Sequence, residues 1–281
     1  MKRLLRRGEV PPHLQFNPYV LAGYRPLLGL WGSLCSLCYL HNETVNILSH
    51  ALAIVYILCV LQYELPWSEV DCHLLMYCHL AGTLCPWIGS FVYHLFMNMD
   101  RPPPFYYRLL QLDMLGIWVS QSFGALTMVC ASVACLPKLV QWIVIASYSL
   151  LSLLGLFKAM AASSPWKRRM CFALPFLMRN CLVLLRLTKY GGGNPDGLLY
   201  VILQDLISLI GGAIGALNVP ERWMPGSLDY CFNSHNIMHV LVVLAVYYMN
   251  LSTISDLLWL KNGQCQRSVE FNSTPHLHQE L

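Results

Sequence analysis

The feature that most constrains this chain is a series of long apolar stretches separated by short polar linkers. About twenty consecutive apolar residues are enough to cross the hydrocarbon core of a bilayer as an α-helix. Only 11% of the residues are charged, whereas about a quarter would be charged in a soluble domain. We therefore predict an all-α membrane protein with seven transmembrane helices. The predicted spans are 45–63, 74–96, 108–129, 138–158, 169–187, 197–217 and 234–254.

The distribution of Lys and Arg predicts which end of each span faces the cytoplasm. Twelve of the 18 Lys and Arg residues fall on the side of the N-terminus, and four fall on the opposite side. Since cytoplasmic loops carry an excess of basic residues, the N-terminus is predicted to be cytoplasmic. The chain then consists of a cytoplasmic N-terminal segment with a pre-membrane helix (1–44), a transmembrane domain (45–254) and an extracytoplasmic tail (255–281).

This organisation also indicates the kinds of partner and the compartment. The predicted orientation is the reverse of that of a G-protein-coupled receptor, so we predict no G-protein coupling. The basic residues flank the spans, and no basic stretch carries interleaved aromatic residues, so we predict no nucleic-acid partner. We expect a multi-pass protein of the secretory pathway, in the Golgi or the plasma membrane.

Polar and ionisable residues lie at one end of four predicted spans. Such residues are costly inside a bilayer, and they usually mark a functional site. Spans one, three and seven enter from the cytoplasm and span two returns to it, so the four groups share the inner leaflet. The residues are Glu43, Asn46 and His50 of span one, Ser90 and His94 of span two, Asp113 of span three, and His235 and His239 of span seven.

These residue types favour a metal site. Imidazoles four residues apart on a helix, as in His235 and His239, can bind one zinc ion. A third nitrogen from His94 and a water molecule would complete the open tetrahedron of a catalytic zinc. Asp113 could then hold that water or act as general base. The remaining polar residues would support the ligands or contact substrate.

Each of these residues also has a simpler structural explanation. Most His pairs at this spacing are incidental. Ser90 alone would more often bond to its own helix, and Glu43 alone would be a favourable charge at a helix N-terminus. The metal hypothesis depends on four separate segments that meet at one depth.

The motifs resemble those of the progestin and adipoQ receptor family, which includes the adiponectin receptors and haemolysin III-like proteins. The family pattern E-x2-N-x3-H is matched from Glu43 to His50, S-x3-H followed by Asp from Ser90 to Asp113, and H-x3-H by His235 and His239. The resemblance implies seven helices around an inner-leaflet cavity. It also implies zinc bound by His94 and the H-x3-H pair, with Asp113 reaching the ion through water.

The resemblance leaves three functions open. The first is a zinc-dependent ceramide amide hydrolase, in which a zinc-activated water attacks the amide carbonyl of a membrane lipid held in the helix cavity. The second is a receptor with structural zinc. The third is a scaffold for other membrane proteins that controls the stability of lipid-metabolising enzymes. The resemblance does not extend to the long cytoplasmic arm of the adiponectin receptors.

Two arginines lie within predicted span five. Arg179 is at the depth of Asp205 in span six, which predicts a structural ion pair or a contact with a lipid headgroup. Arg186 is expected to extend to the outer interface. Among the 12 cysteines, the C-x2-C of Cys35 and Cys38 is interpreted as structural. A disulfide is compatible with the positions of Cys72, Cys130 and Cys135, near predicted outer loops.

Overall fold

Helices account for most of the chain in the computed structural model, which describes residues 3–162, 164–263 and 265. The described residues contain no β-strand, only two isolated bridges, Leu5 with Tyr24 and Leu28 with Met99. Short 3-10 turns occur at Arg7–Glu9, Pro12–Leu14 and Ser36–Cys38. The helices are α1 Leu30–Cys35, α2 Thr44–Glu64, α3 His73–Phe96, α4 Pro103–Val133, α5 Lys138–Ala161, α6 Pro165–Met170, α7 Ala173–Arg186, α8 Leu198–Leu217 and α9 Ser234–Asn262.

Six of the described helices are long and apolar enough to cross a membrane: α2, α3, α4, α5, α8 and α9. The prediction of an all-helical, multi-pass membrane protein is therefore confirmed. The last helix extends to Asn262, eight residues past the predicted end of the span, so the predicted tail begins as helix. The rest of that tail, apart from residues 263 and 265, lies outside the described residues.

The predicted fifth span differs from the others because it is divided. Residues 169–187 are not one helix: α6 ends at Met170 and α7 begins at Ala173. Pro175 explains the interruption, since it has no N–H to donate to the carbonyl of Cys171 and its ring clashes with that position. The remaining helix, α7, has 14 residues, which is shorter than the roughly 20 needed to cross a bilayer alone.

The helices pack side by side, so that the ends carrying the polar residues lie together. Helix α9 packs along α8, α2 and the second half of α4, and α3 packs along α2 and α4. Midway along the bundle, Ile57 of α2, Trp87 of α3 and Met249 of α9 share a buried apolar cluster. We call the end where α2, α4 and α9 begin and α3 ends the histidine end.

The opposite end is tied by polar and covalent contacts. Cys135, just after α4, forms a disulfide with Cys265, just after α9. The position of Arg186 near the end of span five predicts that its side chain extends to the outer interface. The structure instead buries this side chain inside the bundle. Its Nη1 and Nη2 donate to both carboxylate oxygens of Asp256 at 2.7 Å, and both side chains are buried. A buried carboxylate on α9 offers the guanidinium a partner that the interface would not.

Candidate metal centre

Four histidines pack against one another at the histidine end. Single ring nitrogens of His50, His94 and His239 all lie within 4.8 Å of one another. The His235 ring lies beside them, with its Nε2 3.2 Å from Nε2 of His94. Ring centroids are 4.1 Å apart for His50 and His239 and 4.4 Å apart for His235 and His239. The structure thus brings the three predicted ligands together and adds His50 to the cluster.

Helix geometry explains why these rings meet. His235 and His239 are four residues apart on the first turns of α9 and project side by side. His94 lies in the last turn of α3, and His50 lies in the second turn of α2. Because α2 and α9 run in the direction opposite to α3, their beginnings lie level with its end. His50, His94 and His239 are each no more than 3% exposed.

Glu43 determines which nitrogen of His94 faces the cluster. Its Oε2 lies 2.7 Å from Nδ1 of His94 and accepts a second bond, also 2.7 Å, from Nδ2 of Asn46. A carboxylate accepts hydrogen bonds, so we assign the proton of His94 to Nδ1. The lone pair of Nε2 is then free and directed toward His235. Metal-binding histidines are typically oriented by a carboxylate in this way.

Ser49 plays the corresponding role for His239. Its Oγ lies 3.1 Å from Nδ1 of His239, which leaves Nε2 of His239 free for the cluster. The sequence interpretation missed Ser49, although it lies one turn after Asn46 on the same face of α2. Both ring nitrogens of His50 are buried without a hydrogen-bond partner. Buried polar atoms without partners are uncommon in native structures, and a metal ion or a water molecule would satisfy them.

The amides of Asn46 and Asn236 extend this network to α9. Nδ2 of Asn236 donates to Oδ1 of Asn46 at 2.6 Å, and Asn46 in turn donates to Glu43. Asn236 follows His235 directly, so the bond fixes the start of α9 against α2. The sequence pattern predicted a supporting role for Asn46 and Glu43 but gave no role to Asn236.

Asp113 and Ser90 lie together where α3 and α4 approach closely. Ser90 is within hydrogen-bonding reach of Asp113, and Asp113 is close enough to His94 for an electrostatic interaction. Gly89 permits the approach: a Cβ there would lie 2.9 Å from the carbonyl oxygen of Leu112. The carboxyl group therefore lies near His94, but it is not part of the group of ligand atoms formed by His50, His94 and His239.

Arg25, in the N-terminal segment, supports the end of α3 from outside the bundle. Its guanidinium donates to the carbonyl oxygen of His94 at 2.6 Å and to that of Leu95 at 3.0 Å. Burial lowers the pKa of Arg25 to about 10, so the side chain stays charged at neutral pH. A cation is favourable at the negative end of the helix dipole, and here it fixes the turn that carries His94.

A small cavity of about 20 Å³, room for about one water molecule, lies between the N-terminal segment and the cluster. Phe16 and Tyr24 line it on one side, and Glu43, Asn46 and His235 line it on the other. Of the four histidines, His235 lines this cavity. The predicted pair of Arg179 and Asp205 is elsewhere: Nη2 of Arg179 lies 2.8 Å from Oδ1 of Asp205, between α7 and α8.

The donor set fits a divalent transition metal. Neutral imidazoles suit zinc, copper, iron and nickel. Two nitrogens that each lie about 2.0 Å from a tetrahedral zinc are about 3.3 Å apart, and the Nε2 atoms of His94 and His235 are separated by 3.2 Å. The residues present therefore fit a zinc ion, and His94 and His239 belong both to the grouped nitrogens and to the predicted ligand set.

Comparison with known proteins gives a consistent result. A family model described as "Haemolysin-III related" matches residues 38–250. The chain is 37% identical over 266 residues to human "Progestin and adipoQ receptor family member 4", covering 94% of this chain and 97% of that protein. The mouse counterpart is 38% identical over 264 residues, covering 94% and 96%. The prediction of this family from the polar motifs is therefore confirmed.

A more distant relative extends the range of these similarities. The "Adiponectin receptor protein" of Drosophila melanogaster is 23% identical over 275 residues, covering 88% of this chain and 58% of that protein. All three polar motifs lie within the matched residues of the family model.

Proposed function

Since the chain belongs to the haemolysin-III-related family, which includes the progestin and adipoQ receptors, we propose that its histidine cluster holds zinc and hydrolyses the amide bond of a membrane lipid of the ceramide class. The observation that supports this function best is the orientation of the rings. Glu43 and Ser49 occupy Nδ1 of His94 and His239, which leaves the two Nε2 atoms free as ligands.

His94, His235 and His239 are the proposed zinc ligands. The Nε2 atoms of His94 and His235 have the separation expected of two tetrahedral zinc ligands. The three histidines whose ring nitrogens lie within 4.8 Å of one another are His50, His94 and His239, so His50 takes the place of His235 in that group. We assign it to the wall of the site, where it contacts His239 and Trp87.

The remaining residues have roles in binding and proton transfer. A zinc ion held there would polarise a carbonyl group and lower the pKa of water. Asp113, beside His94 and within reach of Ser90, is the group that would accept a proton from a water molecule. Glu43, which accepts a hydrogen bond from Asn46, directly holds the His94 ring in one orientation. The small cavity lined by Tyr24 and His235 has room for about one water molecule beside the cluster.

We further propose that the chain crosses the membrane seven times with its N-terminus in the cytoplasm. Contacts of the divided segment support the seventh crossing. The carbonyl of Cys171 lies against Gly155, near the histidine end of α5, whereas Arg186 at the end of α7 pairs with Asp256 near the opposite end. The two short helices, with the turn between them, thus extend along the bundle.

The disulfide supports the orientation. Cys135 and Cys265 lie at the end opposite to the histidines, and disulfides persist in the oxidising lumen or outside the cell. The histidine end would then face the cytoplasm, as the distribution of basic residues predicts. A Golgi or plasma-membrane location is compatible with this arrangement.

Burial of the cluster favours a second function, in which zinc is structural. His94 and His239 are only 1% and 3% exposed, and closed zinc sites with four protein ligands are typically structural. The protein would then act as a receptor for a membrane lipid, or as a scaffold for other membrane proteins, without chemistry of its own.

One experiment separates the two functions. The protein is purified in detergent, loaded with zinc and tested for hydrolysis of a ceramide, alongside Asp113→Asn. The amidase predicts measurable turnover that Asp113→Asn lowers by at least about a hundredfold, the scale of a lost general base, with zinc content unchanged. Stoichiometric zinc without turnover in the unmodified protein would contradict the amidase and favour the structural function.

A further inference from the structure

The stretch of residues 26–40, which we call the pre-membrane segment, has an unusual distribution of polarity. It contains no charged residue. It includes α1 and the 3-10 turn that follows, and α2 begins four residues after it. Six large apolar side chains of this segment are exposed, by 36% to 76% of their surface. They are Leu27, Leu30, Trp31, Leu34, Leu37 and Leu40.

The polar side chains of the segment face the protein instead. Ser33 and Ser36 are fully buried. Oγ of Ser36 accepts a hydrogen bond of 2.8 Å from Nη1 of Arg25. The segment is therefore inverted relative to a surface helix in water, which buries its apolar side and exposes its polar side. A contiguous apolar patch of this kind, without charge, is unfavourable in contact with water.

The position of the segment identifies what covers it. The amide of Leu28 donates to the carbonyl of Asn98, just after α3, and the amide of Asp100 donates back to Leu28. The segment is thus attached to the histidine end of the bundle. The neighbouring span α2 also exposes large apolar side chains, such as Leu48 and Leu52. The exposed face of a membrane-spanning helix contacts lipid, so the apolar surface of the segment lies next to a lipid-facing surface.

We propose that the pre-membrane segment lies in the leaflet at the histidine end, with Trp31 and its leucines among the acyl chains. Its 15 residues are fewer than the roughly 20 that a spanning helix needs, and tryptophan favours the membrane interface. Helices bound to membrane surfaces usually combine an apolar face with Lys and Arg that attract anionic lipids. This segment has no basic residue, so its partner is the apolar interior of the leaflet, whatever the headgroup charge.

The contacts of Arg25 connect this surface to the histidine cluster. The guanidinium bonds Ser36 on the segment and the carbonyl of His94 on α3. Insertion of its exposed side in the leaflet would therefore fix the position of the segment. The buried side of the segment in turn holds Arg25 against the end of α3 that carries His94. The proposal does not depend on whether that cluster is catalytic.

Two glycines offer a matched test. Gly8 and Gly29 are both exposed, and a Cβ added at either position meets no atom within 4 Å. Gly8 lies in a charged part of the N-terminal segment, between Arg7 and Glu9, whereas Gly29 lies in the pre-membrane segment. Gly8→Cys and Gly29→Cys would be placed in phosphatidylcholine nanodiscs, and alkylation by a polar maleimide would be followed at each site by mass spectrometry.

We expect the Gly8→Cys thiol to react at least about tenfold faster than the Gly29→Cys thiol, because the reactive thiolate forms only in contact with water. The native thiols of Cys35 and Cys38, which are free and exposed in the protein, provide the same test without substitution and should be protected. Denaturation should abolish both differences, and anionic lipid should not change them. Equal rates in nanodiscs would overturn the proposal. Protection in cell membranes but not in nanodiscs would also overturn it, because it would indicate a protein partner.

Discussion

Replacement of Glu43 by Gln should weaken zinc binding about tenfold without unfolding the protein. Oε2 of Glu43 accepts from Nδ1 of His94 and from Nδ2 of Asn46, both at 2.7 Å. A glutamine oxygen can accept both bonds, so the change removes the negative charge and keeps the shape. Hydrogen bonds to charged groups contribute about 1.5–3 kcal/mol and neutral ones about 0.5–1.5 kcal/mol, a difference of roughly 1–1.5 kcal/mol. Each 1.4 kcal/mol is a factor of ten in affinity.

Glu64 provides a matched control at the other end of the same helix. Its Oε2 accepts from Nδ2 of Asn250 at 2.8 Å, so Glu64→Gln makes the same chemical change far from the histidines. Zinc affinity would be measured in detergent by competition with a fluorescent chelator, and folding by thermal unfolding. We expect a loss for Glu43→Gln and no change for Glu64→Gln. Equal zinc affinity for a folded Glu43→Gln protein and the unmodified protein would refute a supporting role of Glu43 for a metal-binding His94.

Three further predictions follow from other buried contacts. Asp205→Asn should lower the free energy of unfolding by about 3–5 kcal/mol, because it leaves the buried Arg179 cation without its carboxylate partner. A double variant that combines Arg179→Met with Asp205→Leu removes both charges, and thermal unfolding should show it to be more stable than Asp205→Asn. Burial and nearby Arg25 lower the pKa of His41 to about 4 from 6.5, so its contribution to stability is complete above pH 6.5 and is lost as the pH falls toward 4, by roughly 3 kcal/mol in total. His41→Asn, which can still accept the bond from the amide of residue 43, should therefore reduce the loss of thermal stability between pH 7 and pH 5. Ser49→Ala should weaken zinc binding several-fold, since it frees the His239 ring, and an unchanged affinity by chelator competition would contradict that role.

The sequence predicted the helices well where an apolar run is uninterrupted. Span two, predicted at 74–96, corresponds to His73–Phe96, and span six, predicted at 197–217, corresponds to Leu198–Leu217. Hydropathy and length are local properties, so they can be measured in a window of sequence. The fifth run is divided because Pro175 removes one backbone donor. A hydropathy value is an average over a window of residues, so it does not register the effect of a single proline on the backbone hydrogen bonds.

The sequence predicts which residues form the site and the depth at which they lie in the membrane, but not which rings are in contact. Alternating spans bring Glu43, His94 and His235 to the same end, which follows from topology. Which rings touch depends on the rotation of each helix about its axis and on side-chain rotamers, so the place of His50 among the grouped nitrogens could not be predicted. Ser49 could have been found from its position on the same face of α2 as Asn46.

Partners distant in sequence were the least predictable. Arg186 was expected at the interface, but it bonds Asp256, 70 residues away, and no local pattern signals that pair. The disulfide joins Cys135, one of three candidates from the sequence, to Cys265, which lies in the predicted tail and is not one of the three. A covalent or ionic contact between residues so distant in sequence depends on how the whole bundle packs.

The zinc content of the purified protein tests the proposed site most directly. The unmodified protein and the His94→Ala variant would each be produced with zinc and dialysed against a weak chelator. Thermal unfolding would first show that both are folded, and mass spectrometry would then measure the zinc content of each. We predict about one zinc ion per chain for the unmodified protein and almost none for His94→Ala. A folded, unmodified protein without zinc, or a His94→Ala protein that retains a full equivalent, would contradict a zinc site at the histidine cluster.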